Sequence, residues 1–302
     1  MIVILGPTAC GKTKLATHLA SVIGGEIISA DSRQVYKGMD IGTGKDLDEY
    51  WVDEKQIPYH IIDIVEPGYE FNLFDFQENF YKSYNQILEN DAIPILCGGT
   101  GLYLDSILRG FSLAKVPENQ LLRAELELLE SSELEKLLSS FRSVHNTTDI
   151  LDRKRLIRAI EIEKFTVENP ELQTELPHIN SIVFGLNPGR EIVRDRITKR
   201  LNQRLQEGMI EEVEGLLRNG VMHETLEFYG LEYKFISWFL QKKITFEELQ
   251  NRLNIAIHQF AKRQMTFFRS MEKKGVKINW LDANASNEVH VQTILSFAKN
   301  TI

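Results

Sequence analysis

Gly6-Pro7-Thr8-Ala9-Cys10-Gly11-Lys12-Thr13 has the spacing G-x-x-x-x-G-K-T. It follows the apolar run Ile2-Val3-Ile4-Leu5 and precedes Leu15, Ala16, Leu19 and Ala20, which recur at helical period. The order is therefore strand, loop, helix. In such a loop the backbone N–H groups converge on an anion, and the N-terminus of the following helix adds partial positive charge. Lys12 neutralises terminal phosphate oxygens, and the Thr13 hydroxyl can bind Mg²⁺. The eight residues point to phosphate chemistry without separating nucleoside triphosphates, diphosphates and inorganic phosphate.

Working outward, further strands read at 26–30, 59–65, 93–97, 181–186 and 276–281. A helix is expected from about Phe74 to Glu89, with Phe76, Phe80, Tyr84 and Leu88 at fourfold spacing. This alternation predicts an α/β chain with a P-loop-type doubly wound parallel sheet. From about Ser112 the pattern turns to helices alone. Ser132 and Glu135 have capping-box spacing, and a helix is expected over 152–164, ended by Asn169-Pro170. The expected organisation is a core of 1–111 and 180–302 interrupted by a helical insertion, 112–179. After Asn187-Pro188-Gly189, a long helix places Arg196, Arg200 and Arg204 in one row, which suits either a phosphate backbone or a solvated face. Thr245 and Glu248 have capping-box spacing and open another long helix, expected to run to about Met271.

The 302 residues carry 35 Lys and Arg against 43 Asp and Glu, a net charge of −8 that argues against nonspecific coating of nucleic acid. The charge is nevertheless sorted. Residues 118–135 hold six Glu and only Arg123, whereas 190–204 carry six basic residues against two acidic and 262–277 six against one. No apolar run approaches membrane-spanning length and the N-terminus shows no signal-type segment, so a cytoplasmic protein that does not engage a membrane is expected. Cys10 and Cys97 are too few for a disulfide framework, and each reads as a small packing residue beside a Gly-containing loop.

A second candidate site follows the second strand. Asp31 stands at its end beside Ser32, Arg33, Gln34 and Tyr36, and the Gly98-Gly99-Thr100-Gly101 loop follows another strand. Carboxyl ends of parallel strands are where ligands sit. Asp31 there reads as a general base facing a phosphate-bearing electrophile, as a turn residue, or, like Asp63, as the Mg²⁺ carboxylate of a P-loop kinase.

GPTACGKT, DSRQVYKGMDIGTGK (31–45), CGGTGLYLDSIL (97–108), RKRLIRAIE (153–161) and AKRQMTFFR (261–269) occur in that order. Together they resemble the tRNA dimethylallyltransferases, also called tRNA isopentenyltransferases, over nearly the whole chain. The resemblance implies transfer of a dimethylallyl group from its diphosphate to N6 of the adenosine 3′ of the anticodon, with Mg²⁺. It implies that Gly6, Pro7, Thr8, Ala9, Cys10, Gly11, Lys12 and Thr13 hold the diphosphate, although such loops are commonly labelled ATP-binding. It further implies that Asp31 accepts the N6 proton, that Thr100 lies near the reacting groups, and that Asp31, Ser32, Arg33 and Gln34 line the flipped-out base. The tRNA contacts it implies are Arg123, Lys154, Arg155, Leu156, Ile157 and Arg158 in the insertion and Lys262 and Arg263 in the C-terminal helices. A monomer is the default assembly.

Some positions depart from the family pattern. Gly230-Leu231-Glu232-Tyr233 stands where Gly-Tyr-Arg-Glu is common, and Ile257-His258 where Thr-Arg is common. Two basic side chains are thereby lost, with Lys262 and Arg263 the candidates to compensate. Two rival readings follow: a small-molecule P-loop kinase, and a tRNA-binding paralogue with weakened catalysis.

Overall fold

The computed structural model describes residues 1–141, 152–172, 177, 179–282 and 285–299. It separates into two compact units, Met1–Arg109 with Ile179–Ile302, and Gly110–His178.

The first unit is built on six strands: β1 (Ile2–Leu5), β2 (Gly25–Ala30), β5 (Tyr59–His60), β6 (Ile93–Gly98), β7 (Ile182–Gly185) and β8 (Ile278–Trp280). They form one parallel sheet in the order β5-β2-β6-β1-β7-β8. A short antiparallel hairpin of β3 (Trp51–Val52) and β4 (Lys55–Gln56) stands apart from it. Side chains alternate across a strand, so each central strand feeds two cores. Val3, Leu5, Ile28, Leu96 and Val183 enter one, whereas Ile2, Ile4, Ile27, Ile95 and Phe184 enter the other. The second face is covered by α1 (Lys12–Ile23), through Leu15, Ala16 and Leu19, and by α12 (Asn287–Lys299), through Val291 and Ile294. The first face takes Phe76 and Phe80 of α2 (Leu73–Glu89), Tyr103 and Leu104 of α3 (Gly101–Leu108), Val193 and Ile197 of α7 (Arg190–Gln206), and Leu253 and Phe268 of α11 (Phe246–Lys273). Three shorter helices, α8 (Met209–Arg218), α9 (His223–Phe228) and α10 (Leu231–Leu240), complete this side.

The expected strand over 59–65 joins the sheet only at Tyr59 and His60, with Val65 making an isolated parallel bridge to Tyr36. Ile61 and Asp63 have φ of 62° and 55°, a backbone that cannot continue a ladder. There the Asp63 carboxylate accepts from the buried Lys45 ammonium, which also donates to Tyr36 O (2.7 Å) and Asp40 (2.6 Å). Asp63 therefore balances a buried cation. The capping box expected at Thr245 and Glu248 is present and opens α11.

The second unit contains α4 (Gln120–Glu127), α5 (Ser131–Phe141) and α6 (Arg153–Glu168), and no strand among the described residues. Its core is Leu122, Leu126, Leu134, Leu138, Leu156, Ile157 and Ile160. The expected cap at Ser132 lies inside the helix: α5 begins at Ser131, two residues earlier than that cap implies, and the Glu133 carboxylate accepts from the Glu130 N–H at 2.9 Å. Asp152 caps α6 by accepting from the N–H groups of Lys154 and Arg155. Glu161, 1% exposed, accepts from the Asn119 N–H (2.6 Å), from Arg123 (2.8 and 3.1 Å) and from Arg158. Burial alone would raise its carboxyl, but these donors outweigh it and hold Glu161 below the ordinary glutamate range. A lowered carboxyl stabilises the fold above its unfolded-state pKa, and that stability is lost as pH falls through the folded value. Glu161→Ala is expected to destabilise this unit by about 2 kcal/mol, because two guanidiniums and an amide lose their acceptor. Hydrogen exchange of the α4–α6 amides in the full chain measures it; unchanged protection would show that the cluster contributes nothing.

Candidate active site

The carboxyl ends of β1, β2 and β6 meet at two adjoining cavities. The loop after β1 turns through two residues of positive φ, Ala9 at 60° and Gly11, the residue preceding α1, at 92°, where glycine is favoured. Thr8, Ala9, Gly11, Lys12 and Thr13 line the smaller cavity, about 360 Å³, whose opposite wall is formed by Arg196, Lys199 and Arg200 of α7. The Lys12 ammonium has one weak contact, to Pro7 O at 3.5 Å, and is available to an anion.

The larger cavity, about 530 Å³, shares Thr8, Lys12, Asp31 and Arg200 with the smaller one. Its walls add Ser32, Arg33, Thr100, Glu232, Ile257 and Arg263, with Phe228, Phe260 and Phe267 as aromatic surfaces. Asp31 is also a turn residue, its Oδ1 accepting from the Arg33 N–H at 2.9 Å. Thr100 Oγ1 accepts from the Ser32 N–H at 3.0 Å, locking the two loops together. Gln34 accepts from Ser29 Oγ (3.0 Å) and donates to Gly44 O (3.0 Å), which fixes the loop behind Asp31.

Gln264 of α11 fixes the phosphate loop from the other side. It accepts from the Thr8 N–H at 2.8 Å and donates to Gly99 O at 2.9 Å. A Cβ on Gly99 would come within 2.5 Å of its Nε2, so this close approach needs glycine. The sequence reading had not singled out Gln264, which lies beside Arg263 and has no local signal of its role.

The arginine row of α7 lies beside these cavities. Arg196 donates to Cys10 O at 3.2 Å and Arg200 to Thr8 Oγ1, while Arg204 pairs with Asp46 at 2.8 Å. Burial pushes the Arg200 guanidinium down to about 10, still a cation at neutral pH. Arg196 and Arg200 thus reach the phosphate loop, while Arg204 is turned to Asp46. Arg200, Arg204 and Arg263 line the larger cavity, and Lys262 is exposed. Of the departing positions, Leu231, Glu232 and Ile257 line the larger cavity, and His258 Nε2 sits 3.3 Å from Arg194 O.

Leu156 and Ile157 are 0% and 3% exposed, because their side chains form the core of the insertion. Arg123 and Arg158 are engaged with Glu161, whereas Lys154 and Arg155 are exposed. Cys10 and Cys97 are buried packing residues, and burial pushes the Cys97 thiol up to about 12.

Thr13 lines the phosphate cavity. Among the described residues no group of three His, Cys, Asp or Glu could hold a metal ion. No described helix is long and apolar enough to cross a membrane.

A parallel sheet with a phosphate loop, a flanking arginine row and an adjoining acid-and-aromatic cavity defines a P-loop-type α/β protein built for a phosphate-bearing substrate and a second reactant. The IPP transferase family model matches residues 34–271 and the isopentenyl transferase model residues 1–62. A tRNA dimethylallyltransferase 2 of Phocaeicola vulgatus is 52% identical over 296 residues, 98% of this chain and 96% of that protein. One of Bacteroides fragilis is 50% identical over 294 residues, 97% and 96% of the two chains. The crystal structure of the tRNA isopentenylpyrophosphate transferase of Bacillus halodurans superposes with a TM-score of 0.72 at 32% identity, covering 99% of this chain and 95% of that one. The chain belongs to the IPP transferase family.

Proposed function

We propose that this protein transfers a dimethylallyl group from dimethylallyl diphosphate to N6 of the adenosine 3′ of the anticodon in tRNA. The observation that carries the reading is the junction of the two cavities, where Lys12 and Arg200 of the phosphate side meet Asp31 of the other. The phosphate loop, Arg196 and Arg200 hold the diphosphate, and the larger cavity receives the extruded adenine between its aromatic walls. The N6 lone pair forms the new C–N bond to C1 of the prenyl group as the C1–O bond breaks. Diphosphate leaves with that electron pair, stabilised by Lys12 and the loop N–H groups, and Asp31 takes the N6 proton. Mg²⁺, when bound at Thr13, supplies further positive charge to the diphosphate.

This assignment gives the loop a diphosphate leaving group in place of ATP. Incubating the protein with unmodified tRNA, Mg²⁺ and either dimethylallyl diphosphate or ATP, then weighing the nucleosides, tests it. A dimethylallyl adenosine formed only with the prenyl donor is expected. ATP-dependent phosphoryl transfer would establish the kinase reading, and tRNA binding without product the paralogue reading. We place the reaction in the cytoplasm and take a monomer as the working unit.

In the insertion, the exposed Lys154 and Arg155 are the candidates for phosphate contacts. Neutralising either is expected to weaken binding of all substrate tRNAs alike and to flatten log K against log salt by about 0.7 to 0.9 per contact. Equal slopes for the wild type and both variants would leave these residues as solvated charges.

A further inference from the structure

Glu212, half-buried in α8, takes no part in the reaction as described and lines neither cavity, yet its carboxylate accepts from four donors. One oxygen accepts from the N–H groups of Asp40 (2.8 Å) and Ile41 (2.7 Å). The other accepts from the Gly42 N–H (3.0 Å) and from the Tyr233 hydroxyl (2.7 Å). Three successive amides are thereby tied to one side chain across 170 to 172 residues of sequence. Hydrogen bonds to an ionised carboxylate are about twice as strong as neutral ones.

The segment held in this way runs into the wall between the cavities. Gly42 and Thr43 line the larger cavity, and Thr43 and Gly44 the smaller. Gly44 O in turn accepts from Gln34 Nε2 at 3.0 Å, and Gln34 belongs to the loop that carries Asp31. The segment is therefore fixed at its start by Glu212 and by Lys45 on the Asp40 carboxylate, and at its end by Gln34. The Tyr233 ring packs on Gly42, where a Cβ would come within 2.6 Å of Cζ, so the Tyr233–Glu212 bond also fixes α10 against the segment.

We propose that Glu212 is a positioning residue for the transfer: by holding the amides of residues 40–42 it sets the wall shared by the two cavities and, through Gln34, the register of Asp31 against the phosphate side. It touches neither reactant and moves no proton. Its effect is realised in the transition state, where Asp31 must meet N6 while the departing diphosphate is held next door. A displacement of about 1 Å between such groups can cost about 10²-fold in rate. Binding depends less on that register, because each cavity keeps its own contacts.

Glu212 has this role only if the two cavities take donor and adenine as proposed. Single-turnover transfer by the full chain, with enzyme in excess and both reactants saturating, gives the rate constant of the assembled site whatever the folded fraction. A merely structural role would lower the melting temperature and leave that constant unchanged. Glu212→Gln keeps the size of the side chain and one oxygen, but turns an amide group toward backbone donors. It is expected to lower the rate constant about 10- to 100-fold, with tRNA and donor affinities changed by less than about tenfold. Hydrogen exchange at residues 40–44 is expected to quicken in the same variant. Tyr233→Phe, which keeps the ring on Gly42 and removes one of the four donors, is expected to lower the constant about three- to tenfold. An unchanged rate constant in Glu212→Gln, or in Tyr233→Phe if the first variant does not fold, would overturn the inference and leave the function standing. Unchanged exchange at 40–44 in a folded Glu212→Gln would do the same, whereas no transfer by the wild type would overturn both.

Discussion

Asp31→Asn is expected to lower kcat by about 10²- to 10⁴-fold, the usual cost of removing a general base, which is roughly 3 to 5 kcal/mol of barrier. The exocyclic amine of adenine is a poor nucleophile because its lone pair is delocalised into the ring, so the carboxylate matters most as the C–N bond forms. Asn preserves the Oδ1 that accepts from the Arg33 N–H, so the turn and the cavity wall should survive. Affinities for tRNA and donor are accordingly expected to change by less than about tenfold. Single-turnover transfer over a range of Mg²⁺ concentrations checks this. Rescue by extra Mg²⁺ would make Asp31 a metal ligand, and near-wild-type turnover would remove it from the mechanism.

Lys12→Ala is expected to slow single-turnover transfer by about 10²- to 10³-fold, in line with the roughly 3 kcal/mol lost when one donor to a developing anion is deleted. Lys12 lines both cavities, and its weak 3.5 Å contact to Pro7 O makes little contribution to the fold. Thermal stability and tRNA affinity should therefore hold while donor binding weakens. The substitution leaves the backbone N–H groups of the loop and Arg200 in place, so residual transfer should remain measurable. Unchanged single-turnover transfer would move the diphosphate out of this loop.

The sheet was legible in the sequence because its information is local. Runs such as Ile2–Leu5 and Ile93–Cys97 are apolar throughout, as strands buried on both faces must be, and the intervening helical periods dictate crossovers. The phosphate loop was legible for the same reason: its N–H groups, Lys12 and Thr13 come from eight consecutive residues. Asp31 and Thr100 could be named because each follows a strand at its carboxyl end. The expected 59–65 strand stops short because Ile61 and Asp63 take positive φ, and the contact of Asp63 with Lys45, 18 residues earlier in sequence, has no periodic signature.

Tertiary structure alone decided which side chains converge. Helical period puts Arg196, Arg200 and Arg204 on one face, but only the placement of β7 beside β1 turns that face onto the phosphate loop. Gln264 reaches Thr8 across 256 residues of sequence, and Glu232 comes to share a cavity with Asp31 through the packing of α10. In α6 the same period places Leu156 and Ile157 beside Lys154 and Arg155, and the neighbouring helices determine which pair is buried. Local patterns encode a chain's own spacing. Long-range packing determines what lies opposite each face, and with it the composition of the site.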